Sequence, residues 1–147
     1  MEFSAVHFLI RHEKCSRLHG HNWNLSTSIE GIPGKGGMMI DFSVLKKILR
    51  KIIGKYDHKV LIAEKNEDIK FNKNSNEKEM DFEIDNSRYI LPAEDCILLP
   101  LENTTCEELT MMFRKEIYEA IKLEKFKLKS LEVFIEEKDG QGVRYNG

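Results

Sequence analysis

Residues 15–23, CSRLHGHNW, set a thiol and two imidazoles within the seven positions from Cys15 to His21. Cysteine and histidine this close point to metal binding or nucleophilic chemistry, yet the spacing fits no common structural zinc module. His19 and His21 stand two apart. On a strand such residues face the same side, about 6.5–7 Å from one another along the chain, which suits two ligands of one tetrahedral ion. His7, facing inward on an earlier strand, would supply a third nitrogen. Three nitrogen ligands and one open position describe a catalytic zinc site. A single histidine in a sheet is more often a hydrogen-bonded structural residue, but a His-x-His pair following another inward histidine reverses that weighting.

Cys15 has three readings. As a fourth ligand it would close the site and make it structural. As a buried thiol it would be inert, the commonest fate of a lone cysteine. As a nucleophile or base it would draw on Arg11, Lys14 and Arg17, whose charges favour a thiolate. The residues alone leave these open. Asp57-His58 is a carboxylate beside an imidazole, an arrangement that can orient the ring for proton transfer or arise by chance at a helix end. Glu137 is in line with Val133 and Ile135 at strand period. It is either a buried carboxylate awaiting N–H donors or a strand end already in solvent.

The elements that must position these groups are legible from periodicity. Residues 2–10 read as a strand with Phe3, Ala5, His7 and Leu9 on one face. Residues 18–30 alternate again, aligning His19, His21, Trp23 and Leu25. The stretch 31–37, GIPGKGG, is a turn. A helix follows, with Phe42, Leu45, Ile48, Leu49 and Ile52 inward, Asp41 or Ser43 as its N-cap and Gly54 as its stop. Residues 64–88 turn polar and read as an exposed excursion with a short hairpin from Met80–Ile84 and Arg88–Leu91. A compact apolar strand spans 96–101. A second helix spans 103–125, with Leu109, Met112, Phe113, Ile117 and Ile121 inward and a capping-box pattern of threonine with Glu107 or Glu108. The chain closes on a strand bearing Leu131, Val133 and Ile135. This order is an α+β pattern, an antiparallel sheet with helices on one face.

The 147 residues fit one domain, 1–147, and can bury a core. A net charge of −2 made of interspersed charges gives no reason to expect nucleic-acid or membrane partners. No apolar run nears the roughly 20 residues of a membrane helix. The opening MEFSAVHFLIRHEKC, with its early acid and internal histidine, does not read as a signal peptide. Three cysteines, Cys15, Cys96 and Cys106, build no paired framework and fit a reducing cytoplasm.

Taken in order, FSAVH, CSRLHGHNW, GMMIDF, YDHKVL, NTTCEEL and VFIEE with a following Tyr resemble the 6-pyruvoyl-tetrahydropterin synthase family. The likeness runs over nearly the whole chain except 64–95. The Cys-x-x-x-His-Gly-His spacing is most similar to the 6-carboxy-tetrahydropterin synthase branch, which serves the route to 7-deazaguanine nucleosides such as queuosine and archaeosine. The resemblance implies Zn2+ on His7, His19 and His21. It implies Cys15 as the catalytic thiol, with Asp57 and His58 completing a proton relay. It matches Glu137 to the glutamate that anchors the pterin, and Thr105 and Cys106 to the segment lining the pterin pocket. The implied substrate is 7,8-dihydroneopterin triphosphate; Arg11, Lys14 and Arg17 are candidates for its phosphates on charge alone. The implied fold is the tunnelling fold, an antiparallel four-stranded sheet with two helices, joined edge to edge into a β-barrel homo-oligomer, a trimer or hexamer, with active sites at subunit interfaces. The chain departs from the family pattern in having Lys138 after Glu137, Thr104 where a proline is usual, and the charged insertion at 64–95. A 6-pyruvoyl-tetrahydropterin synthase, another pterin side-chain lyase, or a non-catalytic pterin- or zinc-binding relative are the competing readings.

Overall fold

Alternating burial carries the two strands that bear the histidines. In a computed structural model describing residues 1–72, 77–124 and 126–147, β1 spans Glu2–His7 and β2 His19–Gly31. Phe3, Ala5 and His7 of β1 are buried, as are Trp23 and Leu25 of β2, on the faces that period two assigns them. A helix, α1, follows at Phe42–Ile53. Asp41 caps it by accepting the N–H of Ser43 at 2.7 Å, and Gly54 ends it. The apolar stripe of α1 is Leu45, Leu49, Ile52 and Ile53; Phe42, expected inward, is 71% exposed because it opens the first turn, ahead of that stripe.

The remaining strands are β3 (Lys59–Ala63), β4 (Ile69–Phe71), β5 (Glu79–Ile84), β6 (Ser87–Pro92), β7 (Cys96–Leu99), β8 (Leu128–Lys138) and β9 (Gln141–Tyr145), with α2 at Cys106–Leu123 before β8. Six of them hydrogen-bond in the order β7-β3-β1-β2-β8-β9, and β4-β5-β6 form a separate three-stranded sheet. The expected four-stranded antiparallel sheet is therefore a mixed sheet of six. β1 pairs parallel with β3, and β3 parallel with β7, whereas β2-β8 and β8-β9 are antiparallel. Parallel neighbours require a long crossover connection. Residues 64–95 are the crossover between β3 and β7.

The chain divides into two compact units, the boundary falling within β1 and β2. One comprises residues 1–3, 22–57 and 106–147. In it α2 packs on β8, β9 and α1, burying Leu109, Phe113, Ile117 and Ile121. Phe113 meets Phe3 at 5.6 Å and Tyr56 at 4.9 Å between ring centroids. The Tyr56 hydroxyl donates to Glu116, which also pairs with Lys55 at 2.9 Å.

The other unit, residues 4–21 and 58–105, holds the charged insertion. Far from being an exposed excursion, the insertion folds around its own apolar cluster. Phe82, wholly buried, stacks on Tyr89 at 5.2 Å and Phe8 at 5.9 Å, with Ile10, Ile62 and Ile69 beside them. The expected hairpin is present as β5-β6, with β4 added. Asp81 is buried on β5 and pinned by Arg88 at 3.0 and 2.6 Å and by Asn72 at 3.0 Å, which satisfies the one carboxylate buried among the described residues. Residues 73–76 of this stretch, and Lys125 at the end of the expected second helix, lie outside the described residues. Phe82→Ala should cost about 3–5 kcal/mol in a urea-unfolding measurement, the penalty of a vacated aromatic site. A loss under about 0.5 kcal/mol, normal for a surface position, would restore the exposed-excursion reading.

Candidate metal centre and its neighbours

His7, the last residue of β1, and His19 and His21, the first and third of β2, bring one nitrogen each to within 4.8 Å of one another. Ring centroids lie 4.5 Å apart for His7–His19, 5.1 Å for His7–His21 and 5.0 Å for His19–His21. All three belong to the same compact unit. Cys15 is not part of that group.

Nδ1 of His7 donates to the carbonyl of Thr104 at 2.8 Å, and Nδ1 of His19 to that of Arg17 at 2.7 Å. A carbonyl can only accept, so each Nδ1 carries a proton, and in the neutral ring Nε2 is the nitrogen left with a lone pair. This is the outer-shell arrangement that prepares an imidazole to ligate a metal. His7 is fully buried, and burial lowers its pKa from 6.5 to about 4. The Thr104 bond works against that shift, and the charges of His19 and His21 add to it. The ring is neutral at physiological pH, as a ligand must be.

A consequence follows for the metal-free protein. Unfolded chains take up a proton at His7 near pH 6.5, whereas the folded chain resists down to about pH 4. The unfolded state binds more protons across that window, so stability falls as pH drops through it, by up to about 3 kcal/mol. Urea midpoints of metal-free protein between pH 7 and pH 4.5 measure this, and His7→Gln should flatten the slope.

Cys15 is half-buried in a single 3-10 turn, Lys14–Ser16. Its carbonyl accepts the N–H of Leu9 at 2.7 Å. Arg11, expected to lend its charge to the thiol or to phosphates, is paired instead with Asp68 at 2.8 and 3.0 Å. Lys14 and Arg17 are exposed. In the same unit His58 is exposed with φ +60°, its N–H bonded to the carbonyl of Ser4 at 2.6 Å immediately before β3. A non-glycine residue in that left-handed region is uncommon, and such conformations gather at functional sites. Asp57 precedes it, half-buried, in the turn that ends α1.

Glu137 and Cys106 belong to the other unit. In the β8-β9 pairing Glu136 faces Gly142 and Lys138 faces Gln141, so Glu137 is the extra residue of a β-bulge. Bulges re-aim a side chain, which strict alternation cannot foresee. Gly142 opposite is obligatory, since a Cβ there would lie 2.5 Å from the carbonyl oxygen of Ile135. Cys106 opens α2 and its thiol donates to that carbonyl at 3.3 Å. Burial, and then the negative charge of Glu137, push the thiol up to about 11. A helix N-terminus ordinarily lowers a thiol's pKa; here desolvation wins, and Cys106 is a neutral donor at physiological pH. Thr105, half-buried, is the residue before the helix, and Glu107 and Glu108 sit in its first turn.

The family model for 6-pyruvoyl tetrahydropterin synthase matches residues 1–147. The chain belongs to the 6-pyruvoyl tetrahydropterin synthase family. A Methanocaldococcus jannaschii protein provisionally named 6-carboxy-5,6,7,8-tetrahydropterin synthase is 33% identical over 147 residues, covering 99% of this chain and 89% of that one. A Bacillus subtilis 6-carboxy-5,6,7,8-tetrahydropterin synthase is 39% identical over 64 residues, covering 42% of each. Among solved structures, the 6-pyruvoyltetrahydropterin synthase of Plasmodium vivax superposes with a TM-score of 0.90 at 25% identity, covering 99% of this chain and 91% of that one. That of Plasmodium falciparum reaches 0.88 at 27%, with the same coverage. Within the family frame, two residues escaped sequence reasoning. The Thr104 carbonyl orients the His7 ring through the backbone, which leaves no side-chain signature, and Asp68 claims Arg11 from inside the insertion. Among the described residues no helix is long and apolar enough to cross a membrane.

Proposed function

We propose that this chain is a zinc-dependent 6-carboxy-5,6,7,8-tetrahydropterin synthase, converting 7,8-dihydroneopterin triphosphate to the carboxy-pterin with loss of triphosphate and acetaldehyde and the uptake of one water. The observation that carries the reading is the three-histidine cluster. Two of its rings are held as the ligating tautomer, in a family whose full-length and partial relatives bear that name. Held by His7, His19 and His21, zinc would supply Lewis-acid polarisation of the substrate's side-chain oxygen and so acidify the neighbouring C–H.

The chain's own residues divide the remaining work. Cys15 takes and returns the side-chain proton as general base and acid. His58 accepts the thiol's proton, oriented by Asp57; the left-handed backbone at His58 supports a placement dictated by function. Glu137 receives the N–H donors of the pterin ring, and its bulge supports a side chain turned to that purpose. Thr105 and the neutral Cys106 line the ring's pocket. Lys14 and Arg17, exposed beside Cys15, are the cations left to meet the triphosphate.

The assembly proposed with this activity is a homo-oligomer, trimer or hexamer, with sites at subunit interfaces. β7 and β9 are the outer strands of the six-stranded sheet, and each offers an edge to a second copy. The compartment proposed is the cytoplasm. A 6-pyruvoyl-tetrahydropterin synthase is the second reading, favoured by the names of the Plasmodium structures. Identifying the product from one substrate separates the two.

A further inference from the structure

β1 ends at His7, and the chain passes through Phe8, Leu9 and Ile10 on its way to the turn that carries Cys15. The polar groups of this passage are held by two residues remote in sequence. The Thr104 carbonyl accepts Nδ1–H of His7 at 2.8 Å, and the Thr104 hydroxyl donates to the carbonyl of Phe8 at 2.8 Å. The Asn103 side chain treats Ile10 as a strand neighbour would. Its Oδ1 accepts the Ile10 N–H at 3.1 Å and its Nδ2 donates to the Ile10 carbonyl at 3.4 Å. The same Oδ1 accepts the N–H of Thr104 at 3.0 Å, tying the two residues together. Between these points the Leu9 N–H donates to the Cys15 carbonyl at 2.7 Å. Every residue from His7 to Ile10 is thus fixed, either by this pair or by Cys15.

We propose that Asn103 and Thr104 are positioning residues that lock the His7 ring and the Cys15 turn into one fixed relation. The proposal rests on the reading of His7 as a metal ligand and Cys15 as the reacting thiol. Thr104 is 1% exposed, so no solvent stands ready to replace its hydroxyl. A proline at 104 could make neither the hydroxyl bond nor the N–H bond to Asn103. The preceding residues are anchored in turn to the start of the insertion: Lys65 N–H donates to the Leu101 carbonyl at 3.1 Å and Glu64 N–H to that of Leu99 at 2.8 Å. The clasp acts from a braced segment, not a loose loop.

The test compares Thr104→Val, Thr104→Ser and Asn103→Ala in the full chain. Zinc affinity is read by competition with a chromophoric chelator, and Cys15 reactivity by peptide-resolved alkylation with iodoacetamide. Thr104→Val keeps the carbonyl that holds His7 and removes only the hydroxyl's tie to Phe8, so zinc should weaken several-fold, short of the about 10-fold floor for losing an outer-shell partner itself, and Thr104→Ser should restore it. Asn103→Ala should change the Cys15 alkylation rate several-fold and lower kcat with KM little altered. Wild-type zinc affinity in Thr104→Val together with a wild-type alkylation rate in Asn103→Ala would overturn the proposal. Should Asn103→Ala not fold, the contrast between Val and Ser at 104 decides alone. The two readings fail separately. Wild-type protein inert toward dihydroneopterin triphosphate, with zinc weakened in Thr104→Val, sinks the function and keeps the clasp. Active protein with zinc indifferent to Thr104 does the reverse.

Discussion

Cys15→Ala should lower kcat on 7,8-dihydroneopterin triphosphate by about 10²–10⁴-fold, the usual contribution of a positioned acid–base group, while the protein keeps its zinc. The expectation has two parts because Cys15 has three readings to separate: metal ligand, inert thiol and reacting thiol. The histidine cluster closes within 4.8 Å without it, so removing the thiol should leave all three ligands in place. Its 3-10 turn is tied to Leu9 through the backbone carbonyl, which alanine retains. Metal analysis and steady-state kinetics on one preparation therefore separate the roles. Loss of zinc along with activity would make Cys15 a ligand; retention of both would return it to an inert thiol.

His19→Ala is expected to remove zinc and turnover together. His19 opens β2 with Nδ1–H held by the Arg17 carbonyl at 2.7 Å, so its ring is prepared before any metal arrives. Loss of an outer-shell partner costs about 10–100-fold in metal affinity, and loss of a ligand itself should exceed that. His12 is the control, since it is exposed and outside the cluster. His12→Ala should match wild type in zinc content and kcat. If His19→Ala kept stoichiometric zinc after dialysis against a chelator, the ligand set would be wrong.

The three-histidine cluster was legible in the sequence because strand parity is a strict rule. Period two puts His7 on the buried face of β1 and aligns His19 and His21 with Trp23 and Leu25, and the structure keeps all of these on the faces assigned. The limits of α1 were legible for a similar reason: Asp41 and Gly54 act through local geometry. What escaped has a common physical cause. β3 and β7 are short continuous apolar runs, KVLIA and CILL, which carry no period and so concealed the parallel half of the sheet. The insertion's polar composition concealed a core built from a few aromatics, Phe82 and Tyr89 closing on Phe8 from outside the segment. The Arg11–Asp68 pair and the Asn103–Thr104 clasp depend on partners distant in sequence, and the bulge at Glu137 on the register of its own hairpin. No local pattern encodes a distant partner.

Incubating zinc-loaded protein with 7,8-dihydroneopterin triphosphate, and resolving the pterins by mass while assaying the aldehyde, is the most direct trial of the assignment. The expected result is 6-carboxy-5,6,7,8-tetrahydropterin and acetaldehyde in equal amounts, abolished by Cys15→Ala. Accumulation of 6-pyruvoyl-tetrahydropterin without acetaldehyde, or unchanged substrate, would contradict it.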